Sequence, residues 1–361
     1  MWSPAGPCPK EASPTQFPRE PSATVHVVIV DDSPFFRYQL GSRINRRGWR
    51  VKASLASGEE AVSQIPALNP DLVLMDVVMP GLGGMDAVRT LRHHWSGPIV
   101  MMSAQSDQGI RDTWRALDAG ANDFIAKPSA EHTLDAMVDA IIQRFQALPR
   151  AIGPSASPSL HAAKIRVAGI RCIVIGASTG GPKALSELFS RLNVAPSIPI
   201  FIVQHMPAGF TRSFADRLST LLASPVIEAP PDGTSVPLTG APVVVAAGGR
   251  HLRVSPIACW CEPGERRHGV IPSVDVTLFD ALKVFGKDLA IVILTGMGED
   301  GSEGAHLGHQ LGATVVVESK DSALVWGMPG TIANNGDVDA IWPLTRIGAW
   351  MREVITAGNR T

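Results

Sequence analysis

The sequence has little that would tie it to a membrane or to nucleic acid. Its longest uninterrupted apolar runs, such as Val27 to Val30 and Ala290 to Leu294, fall far short of the roughly 20 residues that a bilayer span needs. Lys and Arg (32) nearly balance Asp and Glu (33), for a net charge of −1, so no bias of charge points to nucleic acid or to direct membrane insertion. Cysteine is scarce as well. Cys8 lies near the start, Cys172 in an apolar run, and Cys259-Trp-Cys261 has a spacing that fits no usual zinc site and is tight for a disulfide. The opening two dozen residues are rich in Pro, Ser and Ala without the apolar core of a secretory signal, and read as a disordered extension. Together these features point to the reducing cytoplasm.

What is present is the composition of a globular protein, 45% hydrophobic and 18% charged over 361 residues, which is longer than one core usually supports. Two blocks of alternating strand and helix patterns flank a Pro/Ser/Ala-rich stretch. The expected organisation is therefore an extension at 1–24, a first domain at 25–147, a linker at 148–168 and a second domain at 169–357. In the first block the expected strands are His26–Val30, Arg50–Leu55, Leu72–Met75, Ile99–Met102 and Phe124–Ala126, with a helix from about Glu131 to Ala147. The second block repeats the alternation through Ile173, Phe201, Val243–Ala246, Ala290–Leu294 and Thr314–Val317. The fold class is α/β, with two doubly wound parallel-sheet domains, a flavodoxin-like one followed by a Rossmann-like three-layer one.

In a parallel sheet, polar residues that follow strands share its carboxyl edge. In the first domain these are Asp31 and Asp32, Asp76, Ser103 and Lys127. One such acid alone would be read as a helix cap. Three acids in one crevice call for a hard divalent cation, Mg²⁺, held by Asp31, Asp32 and Asp76 and able to neutralise an incoming phosphoryl group. Asp76 is then the candidate phosphoryl acceptor, with Ser103 and Lys127 contacting the phosphoryl oxygens. The ordered set, Asp31-Asp32, Leu-Met-Asp76-Val-Val-Met-Pro, Ser103-Ala and Lys127-Pro, resembles the receiver domain of two-component response regulators. That resemblance makes Phe124 the aromatic that reorients on phosphorylation. One departure is Gly83-Gly84, where receivers usually place an acidic or amide residue before a glycine; it puts the capping of the next helix in question.

In the second domain, Ser178 ends an apolar strand and opens the turn Gly176-Ala-Ser-Thr-Gly-Gly181, where a hydroxyl stands exposed beside free backbone N–H groups. His205 and Asp300 also follow strands, which completes the residue types of a Ser-His-Asp triad. The Gly-x-Ser-x-Gly spacing matches α/β-hydrolases, but there the acid precedes the histidine. A dinucleotide site is disfavoured too, since Gly-x-Gly-x-x-Gly is missing and the second strand ends in Gln204-His205 rather than in an acid for a ribose.

The motifs Val203-Gln-His-Met-Pro207, Gly209-Phe-Thr-Arg-Ser-Phe-Ala215, Pro272-Ser-Val-Asp-Val276, Leu294-Thr-Gly-Met-Gly-Glu-Asp-Gly301 and Gly327-Met-Pro329, with the serine turn, resemble the CheB family, the chemotaxis protein-glutamate methylesterases. The resemblance implies Ser178 as nucleophile, His205 as general base and acid, Asp300 as the group orienting the imidazole, and the backbone N–H of Met297 with Thr179 as the oxyanion hole. It further implies methylated chemoreceptors as substrate, a histidine kinase of the CheA type as phosphoryl donor, a receiver that blocks the esterase cleft until Asp76 is phosphorylated, glutamine deamidation as a second activity, no cofactor for the ester hydrolysis, and a monomer. Two other readings keep part of this set: a phosphorylation-switched module that binds without turnover, and an esterase acting on small-molecule esters.

Other polar residues carry less. His251 and His268 are expected on loops, as solvated histidines. His306 and His309, three apart on a helix, lack a third ligand for a metal. Arg43, Arg46, Arg47, Arg50 and Lys52 read as a charged surface.

Overall fold

The computed structural model describes residues 24–128, 133–147, 165–222 and 224–357. The expected extension, most of the linker and the start of the helix expected from Glu131 lie outside the described residues.

The first domain alternates β1 (His26–Val30), α1 (Pro34–Arg46), β2 (Arg50–Leu55), α2 (Gly58–Leu68), β3 (Leu72–Asp76), α3 (Gly84–Leu91), β4 (Ile99–Ser103), α4 (Asp107–Asp118), β5 (Asp123–Ala126) and α5 (Leu134–Ala147). Strands β3 and β4 are buried along their whole length, as expected where helices cover both faces of a parallel sheet. The strand order β2-β1-β3-β4-β5, parallel throughout, reverses direction between β1 and β3. Asp31 and Asp76 therefore face one crevice at the switch point. The glycine pair after β3 has a specific use. A Cβ on Gly84 would stand 2.0 Å from the carbonyl oxygen of Asp76, so only glycine lets this loop close over the end of β3. Helix α3 has Gly83 as its N-cap residue and so no side-chain cap.

In the second domain, β6 (Cys172–Ala177), α6 (Gly181–Leu192), β7 (Ile200–Gln204) and α7 (Phe210–Leu222) lead into five short strands: β8 (Val226–Glu228), β9 (Val236–Pro237), β10 (Val243–Val245), β11 (His251–Val254) and β12 (Ala258–Glu262). The chain continues through α8 (Val274–Phe285), β13 (Leu289–Ile293), α9 (Ser302–Gln310), β14 (Thr314–Glu318), α10 (Met328–Asn335), β15 (Ala340–Trp342) and α11 (Leu344–Ala357). Seven strands form a parallel sheet in the order β15-β14-β13-β6-β7-β10-β8, with β6, β7 and β13 side by side at its centre. An antiparallel sheet, β11-β12-β9, was not expected from the sequence. It corrects the reading of His251, which lies buried on β11 and not on a solvated loop.

The two domains share one apolar cluster. Trp114 and Phe124 of the first pack with Phe210 and Phe214 of α7 in the second. The contact is oriented by polar groups: Trp114 Nε1 donates to Ser213 Oγ (2.9 Å), and Arg217 grips both carboxylate oxygens of Asp118 (2.8 and 2.6 Å). Where the described chain resumes, Ile165 and Val167 already pack on this cluster, and Trp350 Nε1 donates to the carbonyl of Arg166. The basic surface of α1 is partly paired, since Arg43 and Arg47 form ion pairs with Asp135 and Asp139 on α5.

Candidate active site

Three neighbouring strands carry the candidate residues of the second domain. Ser178 follows β6, His205 follows β7 and Asp300 lies beyond β13, so the parallel order brings them to one carboxyl edge. The serine turn is pinned from below. The Ser178 amide donates to the Thr295 carbonyl (3.0 Å), Gln204 Nε2 donates to the Ser178 carbonyl (2.9 Å), and Thr295 Oγ1 donates to the carbonyl of Thr179 (2.9 Å). Glu318, buried at the end of β14, in turn accepts from the Thr295 amide (2.8 Å).

His205 Nε2 lies 2.7 Å from Asp300 Oδ2. The neutral tautomer with its proton on Nε2 donates to the carboxylate and leaves Nδ1 as the acceptor for a serine proton. Ser178 Oγ makes no hydrogen bond to His205 among the described residues, a looseness common where substrate has yet to align the groups. Asp300 is held by four donors: His205 Nε2 and the Val274 amide (2.7 Å) on Oδ2, Ser273 Oγ (2.7 Å) and the Asp275 amide (3.2 Å) on Oδ1. Burial alone would push this carboxyl up, but the hydrogen bond and charge of His205, with the bonds from Ser273 and Val274, bring it below its ordinary value. Asp275, two residues past Ser273, is pushed up to about 6 by burial, against the pull of its bond from the Gly304 amide, and by the nearby charge of Asp300.

Gly296 brings the candidate oxyanion donor to the nucleophile. A Cβ there would meet Met328 Sδ at 2.5 Å and Ser178 Cβ at 2.9 Å. The amides of Gly327 and Met328 both donate to the Gly296 carbonyl (3.0 and 2.8 Å), which fixes the strand end from which Met297 follows, half-buried. Thr179 is buried beside the serine.

Ser178, Thr179 and His205 open on a cavity of about 280 Å³ whose other wall belongs to the first domain: Asp123 to Ala126 from β5, and Ala136, Met137, Ala140 and Arg144 from α5. Asp123 pairs with Arg144 (3.2 Å), which also donates to the Phe124 carbonyl (2.6 Å). Burial holds Asp123 above its ordinary pKa in spite of Arg144 and the amides of Phe124 and Gly180, the last of which heads α6 next to the serine.

In the first domain, one oxygen from each of Asp31, Asp32 and Asp76 lies within 4.8 Å of the others, a set that fits a divalent cation. Lys127 Nζ bridges Asp31 (2.8 Å) and Asp76 (2.7 Å). Burial pushes Asp76 up to about 6, with Asp31 adding to it and Lys127 opposing. Lys127 moves the favourable way: burial would lower it, but two carboxylates outweigh that and raise it. The unequal effects follow from the count, since the lysine has two opposite charges and Asp76 one of each sign. Asp31 Oδ2 is sealed from solvent with only the ammonium beside it, which further suits a cation ligand. The Ser103 hydroxyl, in contrast, is engaged by α4: it donates to the Gly109 carbonyl (3.0 Å), while Thr113 Oγ1 donates to it (2.8 Å).

The remaining histidines are placed as follows. His251 accepts from the Ser273 amide at Nδ1 (3.2 Å) and donates from Nε2 to the Glu265 carbonyl (2.8 Å), a clamp between loops. His268 faces Asp275, Glu299 and Glu303 (3.1 to 3.2 Å). His306 bonds Asp337 (2.9 Å) and Gln310 (2.9 Å), and no metal-binding group among the described residues includes it or His309. Ser273, Gln204, Thr295, Asp123 and Arg144 were missed as site residues. Of these, Ser273, Gln204 and Thr295 sit in motifs that could have drawn attention to them.

Comparison with known proteins agrees across the chain. The CheB methylesterase family profile matches residues 173–351 and the response regulator receiver domain profile residues 27–139. A protein-glutamate methylesterase/protein-glutamine glutaminase of Saccharophagus degradans is 37% identical, covering 91% of this chain and 98% of its own. One of Archaeoglobus fulgidus is 33% identical, covering 90% and 96%. Among solved structures, the Thermotoga maritima CheB methylesterase catalytic domain is 35% identical over 51% of this chain and 98% of that chain, with a TM-score of 0.46.

Proposed function

The chain belongs to the CheB methylesterase family and carries a receiver domain ahead of its catalytic domain, and from that premise we propose how its residues perform and control the reaction. It is a carboxylic ester hydrolase that removes methyl groups from glutamate methyl esters of chemoreceptors, under phosphorylation control, with glutamine deamidation carried in the names of its relatives. A binding module without turnover is not favoured.

Ser178 Oγ attacks the ester carbonyl carbon while His205 Nδ1 takes its proton. The oxyanion that forms is met by the Met297 amide with help from Thr179. Collapse breaks the C–O bond to methoxide, which leaves as methanol with the proton from His205. Water, deprotonated by His205, then hydrolyses the glutamyl-Ser178 ester and frees the carboxylate. With a glutamine the same steps expel ammonia. Asp300, kept ionised by its four donors, holds the imidazole tautomer and stabilises the imidazolium; a wrong tautomer in such a site costs on the order of 10⁴-fold.

The observation that carries this reading is that His205, bonded to the buried Asp300, opens on the same cavity as Ser178. The wall formed by β5 and α5 supports a block on substrate entry by the receiver. Asp76 accepts the phosphoryl group from a CheA-type histidine kinase. Asp31, Asp32 and Asp76 would hold Mg²⁺, which when bound neutralises phosphoryl charge. Lys127 loses its Asp76 partner to the phosphoryl oxygens, Ser103 turns towards them, and Phe124, three residues away, passes the change to the interface. The enzyme works in the cytoplasm, as a monomer, and no helix of the described residues is long and apolar enough to cross a membrane. The test is methanol release from methyl-labelled receptor membranes with phosphoramidate and Mg²⁺. Release from a small methyl ester at an equal or better kcat/KM would instead favour a small-molecule esterase.

A further inference from the structure

Ser273 occupies the N-cap of α8, with extended backbone angles (φ −112°, ψ 136°), yet its side chain makes no capping bond to its own helix. That is unusual for the residue type, because an N-cap serine ordinarily accepts from the amide two or three residues on. Here the cap is supplied by another residue. Asp300 accepts the amides of Val274 and Asp275, the first two of the helix, so the triad carboxylate is the anion at the α8 N-terminus. Ser273 gives its hydroxyl to Asp300 Oδ1 at 2.7 Å, its one hydrogen bond from Oγ among the described residues.

Ser273 is fully buried, and its backbone is held on both sides: its amide donates to His251 Nδ1 (3.2 Å) and its carbonyl accepts from Thr277 Oγ1 (3.4 Å). The hydroxyl thus starts from a fixed point. Of the four donors on Asp300, the Val274 amide shares Oδ2 with His205, while Ser273 Oγ and the longer Asp275 bond hold Oδ1. Two oxygens fixed separately set the plane of the carboxylate, and that plane sets where the lone pair meets His205 Nε2.

We infer that Ser273 is a positioning residue for the reaction, the first member of a hydrogen-bonded line Ser273–Asp300–His205 that backs the nucleophile Ser178. It orients the carboxylate that orients the imidazole and touches no substrate. The inference rests on the triad proposed above. Without the hydroxyl, Oδ1 keeps only the weaker amide bond, the carboxylate gains freedom to rotate, and the imidazole loses its fixed aim at the serine.

The test uses the full chain activated with phosphoramidate and Mg²⁺. Ser273→Ala is expected to lower kcat by about 10- to 100-fold, the scale of a buried charge-assisted hydrogen bond, with KM unchanged. Combined with Asp300→Asn it should cost nothing further, because its effect passes through that carboxylate. Unchanged kcat in Ser273→Ala, or losses that multiply in the double variant, would overturn the inference. If Ser273→Ala does not fold, Ser273→Cys replaces the hydroxyl by a weak thiol donor in nearly the same shape. It should lose kcat in the same direction, and wild-type kcat there is equally decisive against the role. The two proposals fail separately: a fully active Asp300→Asn removes the triad itself, whereas a crippled Asp300→Asn beside a fully active Ser273→Ala removes only the role of Ser273.

Discussion

The Phe124 ring of the receiver lies stacked on Phe210 of the catalytic domain, with centroids 4.8 Å apart and planes at 27°. Each ring is also a near neighbour of chemistry: Phe124 precedes Lys127 by three residues, and Phe210 follows His205 by five. One aromatic pair therefore joins the phosphorylation pocket to the turn that carries the proposed base. Beside it Trp114 stacks on Phe214 at 5.2 Å. Such pairs contribute about 0.5–1.5 kcal/mol each beyond the area they bury, enough to hold the receiver in place and little enough for a phosphoryl group to outweigh.

Loosening this contact should therefore release activity without phosphorylation. Trp114→Ala removes the ring on Phe214 and the bond to Ser213, and Asp118→Arg sets two cations face to face at Arg217. Each is expected to raise the methanol-release rate of the unphosphorylated chain by about 5- to 50-fold, within the usual range of coupling between sites. Phosphoramidate should then add less than it adds to the wild type. Unchanged basal rates in both variants would mean that the receiver does not restrain the esterase through α7.

The triad reading predicts a graded series. Ser178→Ala should abolish methanol release and labelling by a fluorophosphonate, since only a hydroxyl is removed. His205→Ala should be similarly severe, and Asp300→Asn should lose on the order of 10⁴-fold through the wrong tautomer. His251→Ala, with its ring bonded among the described residues only to the Ser273 amide and the Glu265 carbonyl, should lose far less than any of these. A dead His251→Ala beside an active His205→Ala would reassign the base.

Much of this was legible before any coordinates. Ser178, His205 and Asp300 lie far apart in the chain, but each follows an apolar run, and a parallel sheet puts the ends of such runs on one edge. The same logic places Asp31 and Asp76 together. The docking of the domains was not legible. Trp114, Phe210 and Phe214 each fit the apolar face of an ordinary amphipathic helix, and nothing in that periodicity says whether the face meets its own sheet or another domain. The small antiparallel sheet was missed because β9 is only Val236–Pro237 and β11 only His251–Val254, too short for an alternation to register. Ser273 escaped notice because a serine before a helix is normally its cap.

Signalling should depend on Asp76 in a way that separates it from its acidic neighbours. Asp76→Asn removes the proposed acceptor, so phosphoramidate and Mg²⁺ should leave its rate at the unphosphorylated level while raising the wild-type rate. Lys127→Ala should still accept a phosphoryl group, followed by Phos-tag electrophoresis, yet release little activity, because the ammonium that bridges Asp31 and Asp76 is the group free to follow the phosphoryl oxygens. Full activation of Lys127→Ala would rule out the lysine as the link to Phe124.

The acidic pocket should also set how stability varies with pH. Burial and Asp31 push Asp76 up to about 6 from an ordinary value of 3.8, so between those values the folded chain binds more protons than the unfolded one. A raised carboxyl of this kind costs stability in its ionised form. The cost is absent below about pH 4, grows as pH rises towards 6, and is complete above it. Asp76→Asn cannot ionise and should be the more stable protein at pH 7.5 without Mg²⁺, by up to about 3 kcal/mol, since the shift from 3.8 to about 6 already includes the attraction of Lys127. Near pH 4 the two should converge. Adding Mg²⁺ at pH 7.5 should restore the wild type far more than the variant, because the cation offsets the charge that the variant lacks. Scanning calorimetry of both chains at the two pH values decides it: a wild type at least as stable as Asp76→Asn at pH 7.5 in chelator would show that Lys127 already neutralises the pocket, and that no cation is needed to relieve it.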